Sequence, residues 1–247
     1  MNRVLGRADR VRIVMAILEG YIGVPHQSAK RPRPLDMLIA TVLSQNTNDK
    51  NSHRAYTRLR EAYPQWPAVA HAPLARLKSL LKVGGMADQK ARRIKEILKT
   101  VESRFGGYDL SAISRWTSER IMNELTSMNG IGPKTAACVC LFSLGRDIFP
   151  VDTHVHRLCT RLALVPGGGS PARTFQLMQD LVPRRKSYSF HTNLIRFGRR
   201  VCRSNNPACA MCPLYALCCY EGKKGRAGAQ GRHSKANHDF MLLDNVS

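Results

Sequence analysis

Apolar residues recur at helical spacing along most of this 247-residue chain, and strand-like alternation is scarce. Residues 8–19 carry such a stripe, formed by Val11, Ile13, Val14, Ile17 and Leu18. A stripe of this period predicts an amphipathic helix with one face against a core. After Pro32 and Pro34, the segment DMLIATVLSQN (36–46) is apolar on most sides, which predicts a buried core helix.

Further helices are predicted by the same period together with residues that favour helix starts. Asn48 and Asp49 stand at the start of a third helix, which should run to about residue 63. Three more helical segments follow Pro, Asp or Ser/Thr: 73–82, 88–103 and 116–127. The sequence therefore predicts an all-α fold, and it contains no internal repeat.

Basic residues outnumber acidic ones across the chain. Lys and Arg number 39 against 17 Asp and Glu, a net charge of +22. Five of the basic and two of the acidic residues lie in 222–247, so residues 1–221 keep 34 and 15, a net charge of +19. This excess in the body of the chain favours a polyanionic partner, usually nucleic acid, although a solvated basic surface is the alternative. Residues 222–247 are rich in Gly, Lys and His and predict a disordered basic tail.

A tight turn is expected between two helices at Gly130-Ile131-Gly132. The glycines permit unusual backbone angles, and Pro133 suits the first position of the following helix. Backbone N–H groups at such a turn would point outward and form an anion site suited to a DNA phosphate. A plain helical hairpin would have a similar sequence, so the motif alone leaves both interpretations open.

Two residues near this turn have the chemistry of a reactive site. Lys134 is the second residue of the new helix, where the positive end of the helix dipole disfavours an ammonium. A neutral lysine amine is a nucleophile that can form a Schiff base. Eighteen residues later, Asp152 ends an apolar approach and precedes another helix. Asp152 is equally suited to be an N-cap or an acid–base partner of Lys134.

Four of the eight cysteines, Cys202, Cys209, Cys212 and Cys218, form the pattern C-x6-C-x2-C-x5-C. Four thiolates within 17 residues can surround one metal centre, and their softness favours zinc or an iron–sulfur cluster. A disulfide framework is the alternative. However, residues 1–20 lack the apolar core of a signal peptide, and no run of 18 apolar residues predicts a membrane span. We therefore interpret the cysteines as intracellular metal ligands.

Taken together, the hairpin with Lys134, the loop ending at Asp152 and the cysteine pattern resemble the helix-hairpin-helix DNA glycosylases of the endonuclease III type. The resemblance covers roughly residues 8–220. It implies an all-α fold of two lobes, with DNA bound across them and the damaged nucleotide flipped into the cleft. The expected parts are an N-terminal helix (1–33), a six-helix barrel with the hairpin (34–150), a C-terminal cluster lobe (151–221) that the N-terminal helix joins, and the tail.

The resemblance also implies roles for individual residues. Lys134 would attack C1′ of the flipped nucleotide, and Asp152 would assist glycosidic cleavage and proton movement. The four patterned cysteines would hold a [4Fe-4S] cluster, and Cys219 stands one position past the pattern. Gly130, Ile131 and Gly132 would contact DNA at the hairpin.

Two further segments resemble parts of the family that handle the opened duplex. In the segment 43–49, Gln45 or Asn46 would fill the gap left by the flipped base. Met86, after Gly84 and Gly85, would wedge between bases of the opposite strand, as apolar wedges do in kinked DNA. Helix C-capping for Asn46 and a core contact for Met86 are the alternatives. Between the first two patterned cysteines, family members often carry several basic residues that clamp a phosphate, and this chain has only Arg203 there. Arg203 would contact DNA in that role.

The expected function is a bifunctional DNA glycosylase and abasic-site lyase of base excision repair that acts on damaged, oxidised pyrimidines. Thymine-mismatch or 5-methylcytosine removal by the same fold is one alternative. A non-catalytic iron–sulfur protein that binds DNA is an alternative of another class. The expected partner is double-stranded DNA with a damaged base or abasic site, bound by a monomer without membrane contact. The expected location is the nucleoid-associated cytoplasm in a prokaryote or the nucleus in a eukaryote.

Overall fold

The computed structural model describes residues 5–226, which are helical with no strand. The eleven α-helices of this part are α1 (Arg7–Ile22), α2 (Pro34–Leu43), α3 (Asp49–Ala62), α4 (Trp66–His71), α5 (Leu74–Leu81), α6 (Ala87–Phe105), α7 (Ser118–Thr126), α8 (Pro133–Cys138), α9 (Thr153–Arg161), α10 (Pro171–Leu181) and α11 (Ser187–Arg200). Short 3-10 turns and a π-helical turn (Val139–Ser143) that extends α8 complete the secondary structure. The prediction of an all-α fold is confirmed.

Local sequence accounts for most helix starts. The Asn48 side chain accepts the backbone N–H of Asn51 at 2.8 Å and caps α3, as the sequence predicts. Thr117 and Ser170 cap α7 and α10 in the same way. Proline occupies the first or second position of α2, α4, α8 and α10, where its missing N–H leaves no helical bond unmade.

The first of two compact units comprises residues 28–146. Its centre is α2, in which all ten residues are buried, as expected of a helix that is apolar on most sides. Helices α3, α6 and α8 pack against α2, and α5 packs against α6. The hairpin of α7 and α8 belongs to this unit.

The second unit comprises residues 5–27 together with 147–226 of the described chain. Helix α1 packs against α11 and α10, so the N-terminal helix shares a core with the C-terminal helices. Three fully buried phenylalanines, Phe149, Phe190 and Phe197, form part of that core. The rings of Phe149 and Phe190 stack at 5.5 Å between centroids.

The start of the expected tail differs from the sequence prediction. Glu221–Arg226 forms a 3-10 helix in the second unit. The Lys223 amine donates to the carbonyl oxygens of Tyr215, at 3.0 Å, and Cys218, and these bonds hold the turn against the cysteine segment. The remaining part of the predicted tail, 227–247, lies outside the described residues. Among the helices of residues 5–226, none is both long enough and apolar enough to cross a membrane.

Candidate functional site

The hairpin between α7 and α8 has the tight turn that its glycines predict. Gly130 adopts a φ of +78°, in the left-handed region where a side chain is disfavoured. Ile131 is 4% exposed, and its N–H donates to the Met128 carbonyl at 3.1 Å. Its buried side chain joins the two helices, while the neighbouring backbone stays at the surface.

The two hairpin glycines meet different surroundings. A Cβ on Gly132 would have no atom within 4 Å, so this side of the turn is open. A Cβ on Gly130 would lie 2.2 Å from Cζ of Arg93, because that guanidinium packs against the turn. Arg93 in turn pairs with Glu96 at 3.4 Å. The open approach predicted for the hairpin therefore exists at Gly132, and Arg93 is a basic neighbour that the sequence motif does not reveal.

Lys134 follows directly, as the second residue of α8. Lys134 is half-buried. Within residues 5–226, its amine has no hydrogen-bond or ion-pair partner. An unpaired cation at this depth loses part of its hydration without compensation. An unpaired amine beside an open backbone turn is suited to react with a bound electrophile.

Asp152 belongs to the second unit and caps α9. Its Oδ1 accepts the backbone N–H of Val155 at 2.8 Å, so the N-cap interpretation of this residue is correct. The loop before it is held by His191, whose Nδ1 lies 2.9 Å from the Pro150 carbonyl oxygen. Burial lowers the pKa of the neighbouring His154, and the Asp152 carboxylate opposes that shift. The carboxylate thus occupies a fixed position on a rigid loop.

The four patterned cysteines line one cavity in the second unit, together with Arg161 and Tyr220 among others. The pKa of the Cys212 thiol is raised to about 12, chiefly by burial and to a smaller extent by the other three cysteines. Four crowded thiols are therefore costly to ionise without a cation between them. Within the described residues, no three His, Cys, Asp or Glu side chains converge on a single metal-ion position.

Three arginines, which sequence reasoning missed, organise the cysteine segment. Arg161 donates to Cys202 Sγ at 3.3 Å and to the Arg203 carbonyl oxygen at 2.9 Å. Arg157 donates to the Cys202 carbonyl oxygen at 2.9 Å. Arg10 of α1 donates to the carbonyl oxygens of Leu162 and Leu217, at 2.6 and 2.7 Å. The spacing of Arg157 and Arg161, four apart on one face of α9, was the available sequence signal.

Two residues expected to contact the opened duplex meet in the first unit. The Asn46 amide lies 3.6 Å from the Met86 sulfur, although 40 positions separate them. Met86 is 48% exposed, so it is not a core residue. Ser44, and not Asn46, is the C-cap of α2. The alternatives of a core contact and a helix cap are therefore both wrong.

Gln45 and Arg203, which are also expected to contact DNA, each have a hydrogen-bond partner that is not among the residues expected to do so. The Gln45 amide nitrogen lies 3.5 Å from the Thr135 hydroxyl oxygen, which links the end of α2 to α8. Arg203 is exposed, and its carbonyl accepts from Arg161. Its side chain is available to solvent in the loop between the first two cysteines.

Comparisons with known proteins show the family to which the chain belongs. Residues 39–184 match the model of the HhH-GPD superfamily base excision DNA repair proteins. The chain is 33% identical over 203 residues to endonuclease III of Thermotoga maritima, which covers 82% of this chain and 91% of that protein.

Two solved structures are similar to this chain over most of its length. A non-covalent endonuclease III–DNA complex matches with a TM-score of 0.75 and 26% identity over 89% of this chain and 97% of the other. A trapped covalent endonuclease III–DNA intermediate matches with a TM-score of 0.76 and 26% identity over 89% and 98%. The chain therefore belongs to the HhH-GPD superfamily of base excision DNA repair proteins, as an endonuclease III-like DNA glycosylase.

Proposed function

We propose that this protein is a bifunctional enzyme that removes oxidised pyrimidines from double-stranded DNA and then cleaves the strand at the abasic site. The observation that carries the proposal is the Lys134 amine, half-buried and unpaired within the described residues, two positions after the open Gly132 turn. A base-removing enzyme that used only water would need no such amine. A strand-cleaving enzyme of this class needs one, because its lyase step passes through an imine.

The proposed reaction begins when Lys134 Nζ attacks C1′ of the extruded nucleotide and the C1′–N bond to the base breaks. The departing base takes the bonding electron pair and a proton. One amine proton then passes to O4′ as the C1′–O4′ bond breaks, so the sugar ring opens and leaves a protonated imine at C1′. Removal of a 2′ proton expels the 3′ phosphate by β-elimination. No oxidant or reductant is consumed in this sequence.

Asp152 would serve the first step of this reaction. Its carboxylate is positioned by the bond from the Val155 N–H, and Oδ2 can carry a charge or a proton while Oδ1 remains in that bond. A fixed carboxylate stabilises positive charge that develops on the sugar as the base leaves. Lys134 belongs to the first unit and Asp152 to the second, and variants of each residue test whether they act together.

The hairpin and the basic surface would bind the phosphate backbone. The open space at Gly132 admits a phosphate to the backbone N–H groups of the turn, and the net charge of +22 attracts the polyanion. Asn46 or Gln45 would fill the gap left by the extruded base. Met86 would be the wedge between bases of the opposite strand. The Arg203 side chain and the backbone of the hairpin residues Gly130 and Ile131 would complete the proposed DNA face.

The patterned cysteines would hold a [4Fe-4S] cluster. A single zinc ion needs four thiolates at about 2.3 Å from one point. The four thiols here line one cavity, so a single group could bind all of them, and the resemblance to the endonuclease III type favours a cluster over one zinc ion. The N–H group that Arg161 directs at Cys202 Sγ would stabilise a thiolate ligand. When bound, the cluster would stabilise the folded conformation of the segment that carries the four patterned cysteines.

Duplex oligonucleotides that carry single lesions test the substrate and the reaction together. The panel contains an oxidised pyrimidine, a thymine mispair, 5-methylcytosine and a preformed abasic site. Base release is measured with alkali, and strand cleavage without it. The proposal expects cleavage without alkali at the oxidised pyrimidine and the abasic site. Base release without strand cleavage would contradict bifunctionality, and DNA binding without either product would favour a non-catalytic protein.

A further inference from the structure

One buried lysine takes no part in the proposed reaction, but it bonds to the two segments that carry the residues proposed to enter the duplex. Lys90 of α6 is 4% exposed. Its amine donates to the carbonyl oxygens of Leu43, at 2.9 Å, and Gly84, at 2.8 Å. Burial lowers the pKa of this amine to about 8. Burying an amine is costly, so its retention in a core position calls for a reason beyond packing.

The two carbonyl groups belong to the segments that carry Asn46 and Met86, the two residues proposed to enter the opened base stack. We call these two the probing residues. Leu43 is the last residue of α2, three positions before Asn46. Gly84 ends a 3-10 turn, two positions before Met86. One amine therefore connects both segments at their bases, while Asn46 and Met86 touch at their tips. These contacts join Lys90, Leu43, Gly84, Asn46 and Met86 into one group of residues, which we call the bracket.

Backbone conformation shows that this bracket is under constraint. Asn46 and Met86 have φ angles of 52° and 51°, in the left-handed region that residues with side chains seldom adopt. Each such residue costs on the order of 1 kcal/mol and persists only where its surroundings fix it. A Cβ on Gly84 would lie 3.1 Å from the Ala55 Cβ, so the segment before Met86 has little room to shift.

We propose that Lys90 is a positioning residue that holds Asn46 and Met86 as one rigid probe, so that the gap-filling amide and the apolar wedge enter the duplex together. This inference rests on the proposed function. Insertion of a wedge must offset the few kcal/mol lost when bases unstack, and a flexible wedge would lose further free energy in becoming ordered. Lys90 removes that ordering cost before DNA arrives.

The same helix provides a matched control. Lys95, also on α6, donates to the carbonyl oxygens of Ala70, at 2.7 Å, and Ala72, at 2.6 Å. These carbonyls lie at the end of α4, on segments without a proposed probing residue. Lys95→Met therefore removes the same number and kind of hydrogen bonds as Lys90→Met and leaves the bracket intact.

The experiment uses full-length protein and a duplex with a stable abasic-site analogue and 2-aminopurine in the opposite strand next to the site. Fluorescence rises when 2-aminopurine unstacks, and it is measured at saturating protein. We expect Lys90→Met, like Met86→Ala, to lose about two thirds or more of the wild-type enhancement, whereas Lys95→Met retains it. Affinity for undamaged duplex should change by less than about twofold in both lysine variants.

Wild-type enhancement in folded Lys90→Met, or an equal loss in Lys95→Met, would overturn the inference. If Lys90→Met does not fold, Lys90→Gln takes its place, because its neutral amide keeps the position polar, but its side chain is one bond shorter and cannot reach both carbonyl oxygens as the lysine amine does. An enhancement below wild type is then expected, and an undiminished one contradicts the bracket. Failure of the proposed function is distinguishable, because wild-type protein would then leave the lesion and abasic duplexes uncleaved, a result that does not depend on Lys90.

Discussion

At the scale of single residues, Asp152 performs two tasks that one substitution can separate. Its Oδ1 caps α9 through the Val155 N–H, and its charge is proposed to assist base removal. Asparagine keeps an oxygen for the cap and loses the charge and the proton-accepting capacity. We expect Asp152→Asn to stay within about 1 kcal/mol of wild-type stability, and base release to fall by about 100-fold or more.

Single-turnover rates on two substrates check this expectation. The loss should be large on a duplex with an oxidised pyrimidine and milder on a preformed abasic site, where no base remains to be expelled. Asp152→Ala is the companion variant, and it should lose the cap as well, at about 1 kcal/mol of stability. Base release at the wild-type rate in Asp152→Asn would mean that the residue is a cap alone.

Lys90 should make the free energy of unfolding rise with pH in the alkaline range. Its folded-state pKa is lowered to about 8 by burial, and an exposed lysine titrates near about 10.4. Between these pH values the unfolded chain binds the extra proton, so the free energy of unfolding contributed by Lys90 rises with pH. Urea titrations at pH 7 and pH 9.5 should show wild type gaining stability relative to Lys90→Met. An identical change in both proteins would contradict the lowered pKa.

Sequence reasoning identifies residues that carry reactive groups more readily than residues that position them. Lys134 and Asp152 stand beside turns and caps that short-range patterns reveal. The left-handed angle of Met86 does not follow from local sequence, because methionine seldom adopts φ above zero, whereas asparagine, as at Asn46, adopts it more readily than most residues. Lys90 resembles any cation in an amphipathic helix until the carbonyls of two distant segments are seen to meet it.

At the scale of the element, the hairpin between α7 and α8 can be tested by filling its open side. Gly132→Arg adds a long side chain where the structure leaves empty space. We expect affinity for every duplex to fall by about tenfold or more, even though the added charge should favour DNA, because the side chain would obstruct phosphate contact. Filter binding at constant salt measures the change.

Gly107→Arg serves as the matched control for the hairpin variant. Gly107 follows α6, and a Cβ there also meets no atom within 4 Å. This variant adds the same charge without filling the turn, so its affinity should equal or exceed that of wild type. Wild-type binding by Gly132→Arg, or equal weakening in both variants, would exclude the hairpin as the phosphate site.

Helix positions were largely predictable from the sequence because their causes are local. The Asn48 cap, the buried length of α2 and Pro133 at the start of α8 each follow from a few neighbouring residues. The 3-10 helix at Glu221–Arg226 was not predictable, because Lys223 bonds to carbonyls of the cysteine segment and not to its own turn. Arginine bonds from α1 and α9 to that segment depend on tertiary packing in the same way.

At the scale of the whole molecule, we expect one unit of the described chain to depend on a metal group held by the patterned cysteines. The second unit contains three short 3-10 turns around them; Arg10 donates to the Leu217 carbonyl in one of these turns, and Arg161 donates to the Arg203 carbonyl in the loop before them. Short turns bury little apolar surface, so metal binding should supply much of their folding free energy. We expect purified protein to be yellow-brown and to contain about four iron and four sulfide per chain.

Serine substitutions at two cysteines test this dependence. Cys202→Ser should lose the visible absorbance and most of the soluble protein together. Cys219→Ser changes an exposed thiol one position past the pattern and should retain both. Absorbance, iron and sulfide are measured on each protein. Colourless wild-type protein with one zinc, or equal loss in both variants, would contradict the assignment of the cluster.

The central claim concerns the chemistry of Lys134, and reduction with borohydride tests it most directly. An imine between Nζ and C1′ is reducible, so wild-type protein should form a covalent adduct with abasic DNA that denaturing gels resolve. Lys134→Gln should form none while it still binds abasic duplex, and Lys99→Gln, which removes an exposed lysine of α6, should trap normally. Undiminished trapping by Lys134→Gln would show that another amine performs the reaction.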